Sequence, residues 1–513
     1  MKLRQLSRPL SRPLSIPLEL AAESLERHAG CIRSQFPTLA ALAVALASSV
    51  VLTLAGCANP GGIAPVAQIK APAGIDVHSP VAPALAADYW SGFGDTALND
   101  LLARALVDNP GLKVAQARLA RAEAALDGAQ ANSGPQLNGT LDVTRQRFSA
   151  NSIYPPPLGG SARTLGTAQI GGSWEIDFFG RHRAAIEAAV GAGQAARADA
   201  AAARVLLASN VARTYVQLAR LLEQRTVAQR SLQQRDEVLG LIRQRVQGGL
   251  DTTVEQRQGE GALPETRQQI EALDEQIVLA RHALAALSGQ APDALDALSP
   301  KLADVQGIPL PAVVPADLLA RRADITAARW RIEAATGDMQ SARAQFYPNI
   351  NLTAFVGLAS IGLDRLVRSG SEQWGVGPAL HLPIFDAGRL RANLRGKAAD
   401  VDAAVETYNG AVIDAVHDVA DQLATLRSVE RQRVEQASAQ SAAESAYDLS
   451  TQRFRAGIGN YLTVLNAEAA VLNQRRLAVD LKARALDSQI ALARALGGGY
   501  AADAAGDLQA ERS

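Results

Sequence analysis

Histidine, cysteine and closely spaced carboxylates are the residue types that could do chemistry in this chain. Its six histidines (His28, His78, His182, His282, His381 and His417) are scattered, with no His-Glu-x-x-His spacing for a metal and no Gly-x4-Gly-Lys sequence for a phosphate. Asp414, Asp418 and Asp421 lie on one long helical stretch. Carboxylates at such steps read either as catalytic acids or as the wet face of a helix, and without a nucleophile and base beside them the wet face is expected. The chain therefore reads as a non-enzyme with no metal or dissociable cofactor.

One side chain does have a chemistry. Residues 38–55 form an apolar run, preceded by Arg4, Arg8, Arg12, Arg27 and Arg33 and closed by Leu54-Ala55-Gly56-Cys57. A basic region followed by an apolar one is an export signal, and its end resembles a bacterial lipobox. That resemblance implies cleavage after Gly56 and an N-acyl diacylglycerol group on Cys57. The competing reading is an uncleaved membrane helix, since 18 apolar residues nearly span a bilayer. With Ala58 and not an aspartate after the cysteine, the sorting rule for such lipoproteins implies the outer membrane. The chain carries 51 basic and 51 acidic residues, and without the leader 45 and 48, so nothing favours nucleic acid as a partner.

The elements that position the rest are given by a duplication. Residues 109–138 align without gaps on 322–351, an offset of 213 that places Pro135 on Pro348. Downstream the offset is 208: Gly180-Arg181 falls on Gly388-Arg389, and residues 245–251 fall on 453–459. A period this long is two copies of one large unit and not a solenoid.

The expected organisation is a leader over 1–56, a lipid anchor and Pro/Ala/Gly tether over 57–88, a first repeat over 89–291, a Pro-rich connector over 292–316, a second repeat over 317–496 and a tail over 497–513. In the first repeat, alternating apolar and polar residues predict strands over about 137–148 and 166–178, then a long helix over 181–247 and a return helix over 250–289. The second repeat predicts strands over about 349–358 and 372–382 and helices over 387–456 and 460–496. The two long helices contain no proline and are rich in Ala.

Strand alternation separates two faces. Ile170, Trp174, Ile176 and Phe178, with Trp374 and Val376, are expected toward lipid; Gln169, Ser173, Glu175 and Asp177 are expected toward water. Ten of the 21 aromatic residues sit in or beside these strands, as in the girdles of membrane barrels. Four strands of roughly ten residues can cross an outer membrane but cannot close, and an open edge in lipid leaves backbone groups unpaired. The chain is thus expected to oligomerise.

The duplicated unit, SGPQLN and FYPNIN entering strands, SWEIDFFG and LHLPIFDAGR leaving them, and RFRAGIGNYLTVLNAEAA at the second glycine turn resemble the TolC-like outer-membrane efflux proteins. Within these the chain is most similar to the NodT-type lipoproteins of resistance-nodulation-division systems. The resemblance implies a mainly α fold with a membrane β-barrel: a homotrimer whose 12 strands make one barrel continued by a 12-helix periplasmic tube. It also implies a periplasmic adaptor at the helical tips and a separate inner-membrane pump. The duct itself would be a passive exit for drugs or other small molecules.

At the second tip the resemblance places Leu462 and Asn466 at a periplasmic gate, with Asn466 where family members often carry Asp; packing between helices is the other reading of Asn466. Gly248, Gly249, Gly457 and Gly459 are expected to adopt left-handed conformations that reverse the helices. A structural coiled-coil lipoprotein and a periplasmic adaptor remain the alternatives: the first would lack lipid-facing strands, the second would carry a single hairpin between lipoyl-like and β-barrel segments.

Overall fold

The computed structural model of the chain describes residues 60–70, 85–151, 153–309 and 321–500. The leader, Cys57 and the tail lie outside them. Eleven main elements follow in order: α1 (Thr96–Asp108), α2 (Pro110–Ala131), β1 (Gln136–Arg147), β2 (Ala162–Ile176), α3 (Arg181–Gln247), α4 (Thr253–Leu287), α5 (Ala323–Ala344), β3 (Asn349–Ile361), β4 (Glu372–His381), α6 (Arg389–Arg455) and α7 (Tyr461–Ala495).

The repeat is written into the helix lengths. α2 and α5 each have 22 residues, α3 and α6 each 67, α4 and α7 each 35. At about 1.5 Å per residue the longest reach roughly 100 Å. They bury a stripe and leave the rest wet. In α6 the buried positions Leu390, Leu394, Ala398, Val401, Val405, Asn409, Val412, Ala415 and Val419 follow the three- and four-residue steps of one helix face. α4 continues through Pro264, which has no N–H to donate to the preceding turn. Its neighbours Ala262 and Leu263 are buried, so packing holds the helix across the missing bond.

Several boundaries differ from the sequence expectation. The return helices begin at Thr253 and Tyr461, because Thr252 and Asn460 are extended N-caps whose side chains accept from Val254 N–H and Thr463 N–H. They end at Leu287 and Ala495, and α6 starts at Arg389, after Ala387 and Gly388 take positive φ. β2 begins four residues earlier than expected and β3 runs three residues further.

The largest core lies where α1 packs on the middle of α3 and the last turns of α4 and α7. Phe93, Leu98, Leu102, Tyr215, Leu218, Leu284 and Ile490 are fully buried there. Asp95 organises this region: its carboxylate caps α1 by accepting from Ala97 and Leu98 N–H and also accepts the Tyr215 hydroxyl at 2.7 Å.

The four strands form a single antiparallel sheet in the order β1-β2-β3-β4. Among the described residues the outer edges of β1 and β4 have no strand partner, and every residue of β1 is exposed. No helix among the described residues is long and apolar enough to cross a membrane.

Residues 60–70 run extended along α6. Asp402 accepts from the Val66 and Ala67 N–H groups at 2.8 Å, and buried Asn409 accepts from Lys70 N–H and donates to Gln68 O, both at 3.0 Å. Gly61 O accepts from Arg391 at the sheet end of the same helix.

Candidate functional site

Strand register assigns every sheet residue to a face. One face carries the rows Gly139–Ile170–Val356–Trp374, Leu137–Gly172–Ala354–Val376, and Ile176–Ile350–Leu380. Its side chains are apolar yet open: Trp374 is 77% exposed, Val376 68%, Ile170 58% and Trp174 44%. A contiguous exposed apolar surface of this kind marks a contact with lipid or protein. Ile176 is half-buried at the edge of this face. Trp174 has an amphipathic placement, its indole N–H donating to Ser133 O at 3.0 Å. Phe178 is a correction: β2 stops at Ile176, Phe178 N–H turns back to Ile176 O at 2.9 Å, and the ring is exposed beyond the strand.

The opposite face presents Asn138, Thr140, Asp142, Gln169, Ser173, Glu175, Thr353, Gln373 and His381. Gln373 Nε2 donates to Gln169 Oε1 at 3.3 Å across Gly357, where a Cβ would collide with the backbone of β2. One aromatic residue breaks the polar pattern. Phe355 lies over Gly375, leaving 2.6 Å between its ring and the site a Cβ would take. Period two places this residue with Asn351 and Thr353, and its neighbours in the row, Gly171 and Gly375, carry no side chain.

The sheet passes into the long helices through two matched joints. Gly180 and Gly388 take left-handed φ of 75° and 85° immediately before α3 and α6. Asp177 accepts from Arg183 N–H at 2.9 Å, and Asp386 accepts from Gly388 and Leu390 N–H at 3.0 and 2.8 Å, so each helix start meets a carboxylate. Those backbone donors hold the Asp386 carboxyl below its ordinary range. Glu175 meets Arg181 at 3.1 Å and His182 at 3.2 Å, and Phe179 stacks on Tyr347 with centroids 5.0 Å apart. A cleft of about 260 Å³ opens between these groups, Asn349 and His381.

At the far end each hairpin closes by the same pattern of turn bonds. Gly249 and Gly457 have φ of 73° and 78°; Leu250 N–H bonds Arg245 O at 2.9 Å, and Ile458 N–H bonds Arg453 O at 3.0 Å. Two expected left-handed glycines are corrected. Gly248 has φ of −81°, and Gly459 is not left-handed. Gly459 is needed for another reason: a Cβ would come within 3.1 Å of Phe454 N.

Leu462 and Asn466 are both exposed on one side of the first turns of α7, Leu462 to 56%, while Tyr461 and Val464 turn inward. Within the chain neither gate candidate is packed between helices. Arg245, in contrast, is held: it pairs with Asp251 at 2.7 and 3.1 Å, donates to Phe454 O at 3.2 Å and lies 4.6 Å above the Phe454 ring. Arg453 and Arg455 stay exposed.

A buried ion pair was not legible in the sequence. Glu468, 5% exposed, accepts from Arg235 at 2.9 Å, and Arg235 also donates to Thr266 and Ala262 O. The partners are 233 residues apart, and no local spacing signals them. Burial, with the Glu468 charge adding to it, pushes the Tyr461 hydroxyl up. The Thr252 hydroxyl holds the Glu255 carboxyl below its usual range.

Among the described residues no three His, Cys, Asp or Glu side chains could hold a metal ion. His182, His282, His381 and His417 stay apart in separate elements. Asp418 is engaged by Arg322 and Arg494, each at 3.6 Å. Asp418 thus serves the packing of helices, whereas Asp414 and Asp421 are exposed.

Comparison with known proteins gives a consistent set. The family described as outer membrane efflux protein matches residues 101–290 and again 314–498, once in each repeat. The chain is 32% identical over 463 residues to the multidrug resistance outer membrane protein MdtQ of Escherichia coli O157:H7, covering 88% of this chain and 97% of that one. It is 32% identical over 422 residues to the pyoverdine export outer membrane protein OpmQ of Pseudomonas aeruginosa, covering 82% and 88%. Among solved structures, the outer membrane protein VceC of Vibrio cholerae superposes with a TM-score of 0.77 at 34% identity, covering 81% of this chain and all of that one.

Proposed function

Because the chain belongs to the outer membrane efflux protein family, we propose that it is the outer-membrane exit duct of a tripartite efflux pump, of the NodT lipoprotein type. Three copies close their open sheet edges on one another into a 12-stranded barrel, and their long helices continue it as a periplasmic tube. A periplasmic adaptor meets the helical tips and an inner-membrane pump supplies the energy. The cargo is drugs or other small molecules, the class to which the names of MdtQ and OpmQ point for those proteins.

The observation that carries this reading is the sheet: four strands, apolar and exposed on one face, polar on the other, with two unpaired edges and two 67-residue helices leaving the same end. In lipid such edges must be paired. A polar inner face suits a water-filled lumen, and the duct reading needs no catalytic group.

Lipid attachment at Cys57 is part of the proposal. The extended segment that follows is pinned along α6 with Gly61 at the sheet end of the helix and Lys70 further down. That course toward the sheet end, up to Pro60, the first described residue after Cys57, supports an acyl group held in the inner leaflet. The ring of Asn466 side chains at the tip forms an uncharged gate with Leu462.

The test is fractionation with gel analysis and a deletion strain. A heat-sensitive trimer retained in the outer membrane, acyl label on Cys57, and sensitisation of the deletion strain to some members of a drug and dye panel are expected. Release of the protein by salt washing, or a monomer on mild gels, would overturn the duct.

A further inference from the structure

Four exposed arginines belong to one corner of the apolar face, at the sheet end away from the helices. The side chains of β1 on this face run Leu137, Leu141, Val143 and then Arg145 and Arg147, both exposed. Register places Arg145 beside Thr164 of β2, whose carbonyl accepts from Gly362 N–H at 2.7 Å at the start of the β3–β4 loop. That loop folds back on the same face. Leu363 and Leu366 rest on Gly166, where a Cβ would come within 2.9 Å of Leu363. Arg365 and Arg368 are thus carried one strand away from Arg145 and Arg147.

Among the described residues the charge of this corner is only partly neutralised. Asp364 lies 3.9 Å from Arg365, and Glu372 already accepts from Gly370 N–H at 2.8 Å. Among the described residues no ion pair engages Arg145, Arg147 or Arg368. The other loop of this end, residues 148–161, has no charged side chain. Height matters as much as charge. At about 3.3 Å per residue and a tilt near 40°, Arg145 and Arg147 stand roughly 5 and 10 Å above Val143, the last apolar side chain of β1 on this face. Val367, 83% exposed between Arg365 and Arg368 in the chain, adds an apolar side chain to the same loop.

We infer that this corner, formed by Arg145, Arg147, Arg365 and Arg368, binds the phosphate groups of glycolipid headgroups in the outer leaflet. The inference rests on the outer-membrane placement proposed above. Guanidinium forks match phosphate oxygens in pairs, and their alkyl stems lie along acyl chains while the heads remain at the interface. The polar rows face away from lipid, so the occupant is a membrane component and not the transported cargo.

Full-length protein, purified as a trimer in detergent, is offered bisphosphorylated lipid A or the same lipid with both phosphates removed, and bound lipid is counted by native mass spectrometry. The wild-type trimer is expected to retain the phosphorylated lipid selectively. Two variants, Arg145→Gln/Arg147→Gln and Arg365→Gln/Arg368→Gln, are each expected to lower its affinity about tenfold or more, with the trimer band intact. Equal retention of the phosphate-free lipid overturns the inference, as does unchanged affinity in both variants. Displacement of lipid A by millimolar inorganic phosphate would reassign the corner as a plain anion site. A wild-type chain that forms no trimer fails the duct reading, whereas a stable trimer indifferent to phosphorylated lipid A fails this inference alone.

Discussion

The two hairpin tips have the same helix lengths and the same pattern of turn bonds, yet they are built for different work. In the first, Arg245 is 11% exposed and locked to Asp251, which is 10% exposed, and reaches over Phe454 of the second hairpin. In the second, the position matching Asp251 is Gly459 and the matching Arg453 is exposed. The same offset places Glu260 opposite Glu468. Glu260 is half-buried and pairs with Arg257 and Arg243, while Glu468 is buried on Arg235 of the first hairpin. The two tips thus share an exposed face, Val254 and Gln258 matching Leu462 and Asn466, and differ in what is fixed beside it: a clamp of Arg245 and Asp251 at the first turn, and a buried Glu468 in the second hairpin.

The sharpest way to break this comparison is Glu468→Ala beside Glu260→Ala. Removing the buried carboxylate leaves Arg235 without its charge partner and is expected to cost about 3 kcal/mol in denaturant unfolding of the purified protein. The half-buried counterpart, whose arginine partners are open to solvent, is expected to cost less than about 1 kcal/mol. Equal effects would mean that the two positions have not diverged. Next in size is Arg245→Ala, expected to cost about 2 kcal/mol by losing the Asp251 pair and the contact with the Phe454 ring, against less than about 0.5 kcal/mol for Arg453→Ala.

Smaller effects separate the glycines within each turn. Gly249→Ala and Gly457→Ala force an L side chain into left-handed φ and are expected to cost about 1 kcal/mol each by thermal melting. Gly248→Ala, at ordinary φ and with only van der Waals contacts around a Cβ, is expected to change stability by less than about 0.5 kcal/mol. The least structural effect belongs to Asn466→Asp. It adds a charge to an exposed side chain and is expected to raise cation over anion permeability in single-channel recordings without shifting the melting curve. An unchanged permeability ratio would remove Asn466 from the gate.

The repeat was legible because its helices have kept their lengths: offsets of 213 and 208, visible in residue identities, place α2 on α5 and α3 and α4 on α6 and α7. Strand faces were legible from alternation wherever a side chain existed to alternate. Phe178 misled because its parity continues that of Trp174 and Ile176 after the backbone has turned. The side of Phe355 follows from its parity with Thr353, but the space for its ring does not, because the glycines that provide it, Gly171 and Gly375, flank it across the sheet. The course of residues 60–70 along α6 was illegible because backbone N–H groups, which every residue has, make most of its bonds to Asp402 and Asn409. Long-range pairs such as Arg235 and Glu468 leave no local trace for the same reason: their meaning lies in a neighbour contributed from far along the chain.

The joints at Gly180 and Gly388 carry one more consequence. Each has a left-handed backbone, and at each no atom lies within 4 Å of where a Cβ would sit. What excludes other residues there is chirality and not room. A methyl group on an L-residue would enter empty space and still strain the backbone by about 1 to 2 kcal/mol, whereas a residue of the opposite hand would meet the same torsion at ease. The change of direction from sheet to helix thus passes through an achiral residue at each joint, and at the second Ala387, with φ of 54°, shares the left-handed torsion.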